Sequence, residues 1–172
     1  GLKKLCELTK YDLDNIIDYF SGAQKDGRGN IAPVTIIMPT LAMQTIETTL
    51  KNTPADDPNY EEACVTNFIK LLTKKIHEAK DMLLERFDHI CSQPMASARF
   101  MYENNTMSGY VKNEGIISAL KHGTLVIGQH GLAETLQILI GCNHTTEKGM
   151  IVAKPIEQLF KDQSTESTKE YH

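Results

Sequence analysis

Lys121-His122-Gly123-Thr124-Leu125-Val126-Ile127-Gly128-Gln129-His130-Gly131-Leu132-Ala133-Glu134-Thr135-Leu136 changes its hydrophobic period halfway along. Thr124 to Ile127 is a short apolar, β-branched run. From Leu132 the apolar residues fall at Leu132, Leu136, Leu139 and Ile140, the spacing of one helix face. Gly128 and Gly131 bracket a tight turn between the two patterns, and Gly141 stands where a C-cap glycine belongs. The expected unit is strand, glycine turn, helix. Such a unit points free backbone N–H groups at whatever lies above the turn, which suits a phosphate. Neither a Walker loop nor a dinucleotide fingerprint is present, and a plain packing turn carries the same signature.

A second unit of the same order lies upstream. Ser21 to Asn30 (SGAQKDGRGN) is polar, holds three glycines and reads as a loop. It leads into Ile31 to Met38, an apolar run interrupted by Pro33, so the regular strand is expected to begin after that proline. Pro39 suits the first turn of a helix carrying Leu41, Met43, Ile46 and Leu50. Before the loop, Thr9 caps a short helix with Leu13, Ile16, Ile17 and Phe20 on one face.

Between the two units, Asp57-Pro58 is an N-cap followed by an N1 proline. No breaker then occurs until Ser92, and Tyr60, Cys64, Phe68, Leu71, Leu72, Ile76, Ala79, Leu83, Phe87 and Ile90 form one apolar stripe. This predicts a single amphipathic helix of roughly 50 Å, which needs a large partner surface. Arg99 to Tyr102 reads as a short strand, and Gly115 to Leu120 as a turn or two of helix. A final helix starts near Thr146, with Pro155 expected to kink or restart it. The tail QSTESTKEYH (163–172) has no apolar face and is expected to fray.

At 172 residues, with 41% hydrophobic and 23% charged residues, the composition is that of a globular chain able to bury a core. A net charge of −4 makes no case for nucleic acid or a membrane surface. No stretch approaches the roughly 18 to 20 apolar residues of a membrane helix, and no signal peptide precedes Lys3. Cys6, Cys64, Cys91 and Cys142 are scattered, without CxxC or zinc spacing, which points to a reducing cytoplasm.

Asn30 ends the DGRGN segment at the mouth of a strand, where asparagine tolerates turn geometry or presents a neutral amide. Arg28 has the fork to hold a phosphate or carboxylate, or is a plain loop arginine. His122 and His130 flank the glycine-turn strand as a conceivable metal pair, with no cysteine or carboxylate at ligand spacing. Glu134 falls in the first helical turn, where a carboxylate favours the helix dipole. His77 and His89 read as surface or boundary residues, and Cys64 and Cys91 as structural. No G-x-S-x-G elbow supports a hydrolase.

Several of these segments resemble a known family in order. Asp26-Gly27-Arg28-Gly29-Asn30, Thr35-Ile36-Ile37-Met38-Pro39, Phe100-Met101-Tyr102-Glu103-Asn104-Asn105-Thr106, Lys121 to Gly128 (KHGTLVIG) and Gly131 to Leu136 (GLAETL) are similar to the anaerobic (class III, glycyl-radical) ribonucleoside-triphosphate reductases. The likeness extends over residues 19 to 163.

The resemblance implies an α/β fold: part of a ten-stranded α/β barrel of the glycyl-radical type, with the long amphipathic helix beside it. Residues 1–172 would be one middle fragment of the catalytic barrel, with the cone domain and the glycyl-radical domain absent and no turnover by the isolated chain. The implied activity is reduction of ribonucleoside triphosphates to deoxyribonucleoside triphosphates by thiyl and glycyl radical chemistry, with formate as reductant. Asn30 maps onto the family's active-site asparagine. Cys6 has the spacing of the radical-bearing cysteine, without the family's cysteine-arginine motif around it. His122, Gly128, Gly131 and Glu134 become substrate-binding residues. No cofactor is expected within this stretch. The glycyl radical, the radical-SAM activating enzyme that makes it, ATP and dNTP effectors, a structural zinc and a homodimer belong to the whole enzyme. The competing reading is a non-catalytic fragment that binds nucleotide or another subunit.

Overall fold

The computed structural model describes residues 29–171 apart from 105, 108 and 122. Cys6, the Thr9 helix, Arg28 and most of the glycine-rich loop lie outside the described residues. In chain order the elements are β1 (Asn30–Ile37), α1 (Met38–Leu50), α2 (Tyr60–Cys91), a 3-10 turn (Met95–Ala98), α3 (Arg99–Glu103), α4 (Ile117–Leu120), β2 (Thr124–His130), α5 (Leu132–Ile140) and α6 (Glu147–Tyr171). The fold is mixed α/β and largely helical, and among the described residues its sheet has two parallel strands. Two compact units divide the chain: the described part of residues 1–31 with 87–124, and residues 32–86 with 125–172.

The larger unit holds the main core, in which Met38, Phe68, Leu72, Leu136 and Ile156 are fully buried. Of the predicted stripe on α2, Cys64, Phe68, Leu72, Ile76, Ala79 and Leu83 are buried, while Tyr60, Leu71, Phe87 and Ile90 are half-buried. It begins at Tyr60 rather than Pro58, because the Asp57 carboxylate accepts the Asn59 N–H at 2.8 Å in a turn of its own before the helix.

α1 departs from the expected face. Pro39 does sit in its first turn, but Met43 and Leu50 are exposed, and Thr45 and Thr49 are buried in their place. Each threonine hydroxyl has a partner, one within α1 and one on α2. Thr45 Oγ1 donates to the Leu41 carbonyl at 2.8 Å, and Thr49 Oγ1 accepts from Asn67 Nδ2 at 3.0 Å. The buried row Met38, Leu41, Ala42, Thr45, Thr49 keeps helical spacing, so the helix stands as expected and only its rotation about its axis differs.

Both strands are longer than expected. β1 starts at Asn30 and carries Pro33 inside it, exposed, with its carbonyl accepting from Arg86 Nη1 at 3.5 Å. β2 runs to His130, so Gly128 belongs to the strand and not to the turn. A Cβ at Gly128 would stand 3.3 Å from Thr35 Oγ1; the glycine serves a close approach of β1 to β2. Gly131 alone makes the bend, with φ 83°, and Gly141 closes α5 with φ 71° as a left-handed cap.

α6 corrects the expectation for its tail. It passes through Pro155 without restarting and continues to Tyr171 without a frayed tail. A proline leaves the carbonyl four residues earlier without its donor. Here that is Ile151, on the exposed face of α6. The tail lies against α2 by polar contacts instead of an apolar face. His77 Nε2 meets Gln163 Oε1, Lys80 pairs with Glu170 at 3.8 Å, and Lys80 stands 5.6 Å from the centre of the Tyr171 ring.

The smaller unit has its own cluster of Tyr102, Ile116 and Ala119, with the Tyr102 and Tyr110 rings 4.7 Å apart. The strand expected at Arg99 to Tyr102 is instead the helix α3. A 2.7 Å ion pair from Arg99 to Glu103, one helical turn apart, favours that state, and Tyr102 is its one buried side chain.

Candidate functional site

Within the larger unit, two strand-to-helix junctions meet. β1 hands over to α1 at Met38-Pro39, and β2 hands over to α5 at Gly131. The Pro39 ring lies against Gly131: a Cβ there would come 2.5 Å from Pro39 Cγ. No side chain caps either helix start. Two positive dipole ends therefore sit side by side at the carboxyl ends of parallel strands, the usual ligand-facing end of an open α/β sheet.

Gly131 is held from inside the helix as well. The fully buried Thr135 donates through Oγ1 to the Gly131 carbonyl at 2.7 Å, and its backbone N–H reaches the same oxygen at 2.9 Å. Glu134 occupies the first turn of α5, its Oε2 3.6 Å from the place of a Gly131 Cβ. The carboxylate already complements the dipole, so this end is better suited to a hydroxyl donor beside an anion than to a bare phosphate.

The predicted residues are thus brought together in part. Gly128, Gly131 and Glu134 share the end of β2 and the start of α5. Asn30 is the first residue of β1, exposed, and belongs to the smaller unit. Cys6 and His122 lie outside the described residues, and with His122 goes the His122–His130 pair; His130 itself is exposed at the end of β2. Among the described residues no three His, Cys, Asp or Glu side chains form a metal-holding group.

Cys64 is buried in the core, while Cys91 and Cys142 are half-buried; all three are free. Burial, and then the Asp88 charge, push the Cys91 thiol up, so it stays protonated and unreactive at neutral pH. His77 and His89 are exposed, as expected. A cavity of about 270 Å³ between α2 and α6 is lined by His77, Lys80, Asp81, Gln163, Glu166, Ser167 and Glu170, none of which belongs to the glycine bend.

Two participants carry no signal of their role in the sequence. Pro39 reads there as a helix-starting residue only, yet it forms the wall against Gly131. Gln129 donates through Nε2 to both carboxylate oxygens of Glu157 on α6, at 2.6 and 2.7 Å. No local pattern announces a partner 28 residues away.

Parallel strands that deliver two uncapped helix starts to one glycine bend define an α/β protein. The family model described as anaerobic ribonucleoside-triphosphate reductase matches residues 5–172, and the chain belongs to that family. It is a family of oxidoreductases of deoxyribonucleotide synthesis that work by a glycyl radical. No curated protein and no solved structure matches the chain. No described helix is long and apolar enough to cross a membrane.

Proposed function

We propose that this chain forms part of the catalytic barrel of a cytoplasmic anaerobic ribonucleotide reductase and contributes to holding a ribonucleoside triphosphate. The family match over residues 5–172 carries this reading. Gly128, Gly131 and Glu134 are its substrate-binding residues in the larger unit: the bend offers free N–H groups, and the Glu134 carboxylate accepts a sugar hydroxyl. His122 is assigned to the substrate as well. Asn30 acts as the catalytic amide that orients the sugar, and Cys6 as the thiyl cysteine; both assignments rest on the resemblance.

The family's glycyl radical supplies one-electron chemistry with formate as reductant, and its activase and a second subunit are the expected partners. Among the described residues no ligand set suits the family's zinc. The chain alone is read as binding without turnover. Cys64 and Cys142, the cysteines of the larger unit, sit in its core and beyond Gly141 rather than at the bend.

A second reading, a non-catalytic piece that binds nucleotide or another subunit, is favoured by the exposed apolar side chains of Ile37, Met43 and Leu50 on and beside α1. Titration of CTP and ATP into the purified chain tests both. Saturable binding, weakened by Gly131→Val and by Asn30→Ala, supports the first. Binding that ignores Asn30→Ala supports the second, and no binding of either nucleotide overturns the substrate assignment. Deoxynucleotide formed by the chain with a family activase would refute the claim that it lacks turnover.

A further inference from the structure

We propose that Gln129 is a positioning residue for the nucleotide: held by Glu157, it fixes the end of β2 from which the Gly131 bend departs. The inference rests on the reading that this bend faces the substrate. Between Gly128 and Gly131 only two residues have side chains, and His130 is exposed. Gln129 is therefore the side chain that can anchor this stretch. Its amide nitrogen is bonded to both oxygens of Glu157, on a helix that also packs against α5 through the core.

The pair is not explained by stability. Glu157 is exposed, and bonds to an exposed carboxylate contribute little. Meanwhile Gln129 Oε1 is buried with no partner, the one such side-chain atom among the described residues. An orphaned buried carbonyl costs more than an exposed bond returns, so a methionine of similar length would serve the fold at least as well. Unsatisfied buried groups of this kind collect where function constrains the structure. With the amide held by Glu157, the backbone of Gln129 is fixed two residues before the bend.

The test uses the full chain, with CTP as the probe. Gln129→Met and Glu157→Ala are expected to raise the Kd for CTP by about fivefold. The thermal midpoint of Gln129→Met should be unchanged or higher. Glu157→Gln keeps an acceptor for the Gln129 amide and should bind as the parent does. If the parent binds CTP and both breaking variants bind equally well, or if affinity falls only in step with the thermal midpoint, the proposal is overturned. If the parent does not bind CTP, the substrate reading fails by itself. Amide exchange over residues 128–132 then tests the anchoring alone: faster exchange in Gln129→Met shows that Gln129 fixes the bend, and unchanged exchange overturns the proposal.

Discussion

Pro39 and Gly131 touch: the proline ring that opens α1 fills the space where any other residue at position 131 would place its Cβ, 2.5 Å from Cγ. Gly131 also holds φ at 83°, a left-handed conformation that L side chains adopt at a cost. Gly131→Ala should therefore destabilise the chain by about 1–3 kcal/mol through strain and overpacking together. Gly128, inside a strand, where an added Cβ would stand 3.3 Å from Thr35 Oγ1, should tolerate alanine better. Urea midpoints for the two variants check this ordering, and equal losses would show that the bend is not the tighter site.

Core and surface apolar residues should separate sharply. Ile156 is fully buried in α6, and Ile156→Ala is expected to cost about 2–5 kcal/mol. Met43, half-exposed on α1 despite its place in the sequence pattern, should lose no more than about 0.5 kcal/mol as Met43→Ala. Thermal and chemical unfolding of both variants decides whether the helix is rotated as described.

Tyr102 predicts an alkaline weakness. Burial first, then Tyr110 and Cys91, raise its phenol above the ordinary value. The folded chain holds this proton more tightly than the unfolded chain does. The associated stability is complete below the unfolded value of about 10 and is lost as pH rises through the folded one. Urea midpoints between pH 8 and 11 should fall less steeply in Tyr102→Phe than in the parent; identical slopes would count against the assignment.

The tail of α6 should be held weakly. Its contacts with α2 run through Lys80, Glu170 and Tyr171 at a partly exposed surface. Lys80→Ala is expected to leave the global unfolding midpoint nearly unchanged. Its visible effect should be faster amide exchange over residues 163–171, with the parent approaching the variant as salt is raised. An unchanged exchange pattern would mean that the tail is helical for other reasons.

Glu134 gives a readout at the proposed site. Glu134→Gln keeps the size of the side chain and removes its charge, which should strengthen binding of inorganic triphosphate at the α5 start while weakening discrimination for a ribose over a deoxyribose. Competition titrations with triphosphate, CTP and dCTP check both directions.

The strand, bend and helix around Gly131 are legible in the sequence because a change of hydrophobic period and a left-handed glycine are properties of neighbouring residues. The long helix α2 is legible for the same reason, its stripe matching the buried face. Arg99 to Tyr102 reads as a strand and folds as a helix because four mixed residues carry no period long enough to separate the two states; burial of Tyr102 beside Tyr110 comes only with the tertiary fold. The tail of α6 is helical against expectation because its partners lie on another helix, a surface that hydrophobic spacing does not report.

By itself, then, the sequence determined the two strand-to-helix units, the bend at Gly131, the amphipathic helix α2 and the family. Each depends on residues within a helical turn or a strand's length of one another, or on motifs in fixed order. Tertiary structure alone decided that Gly128 serves strand approach, that α1 buries threonines while Met43 faces out, that Pro39 walls the bend and that Glu157 holds Gln129. Those choices come from which distant surfaces meet when the core closes, and no local rule encodes a contact whose partner is brought in only by that closure.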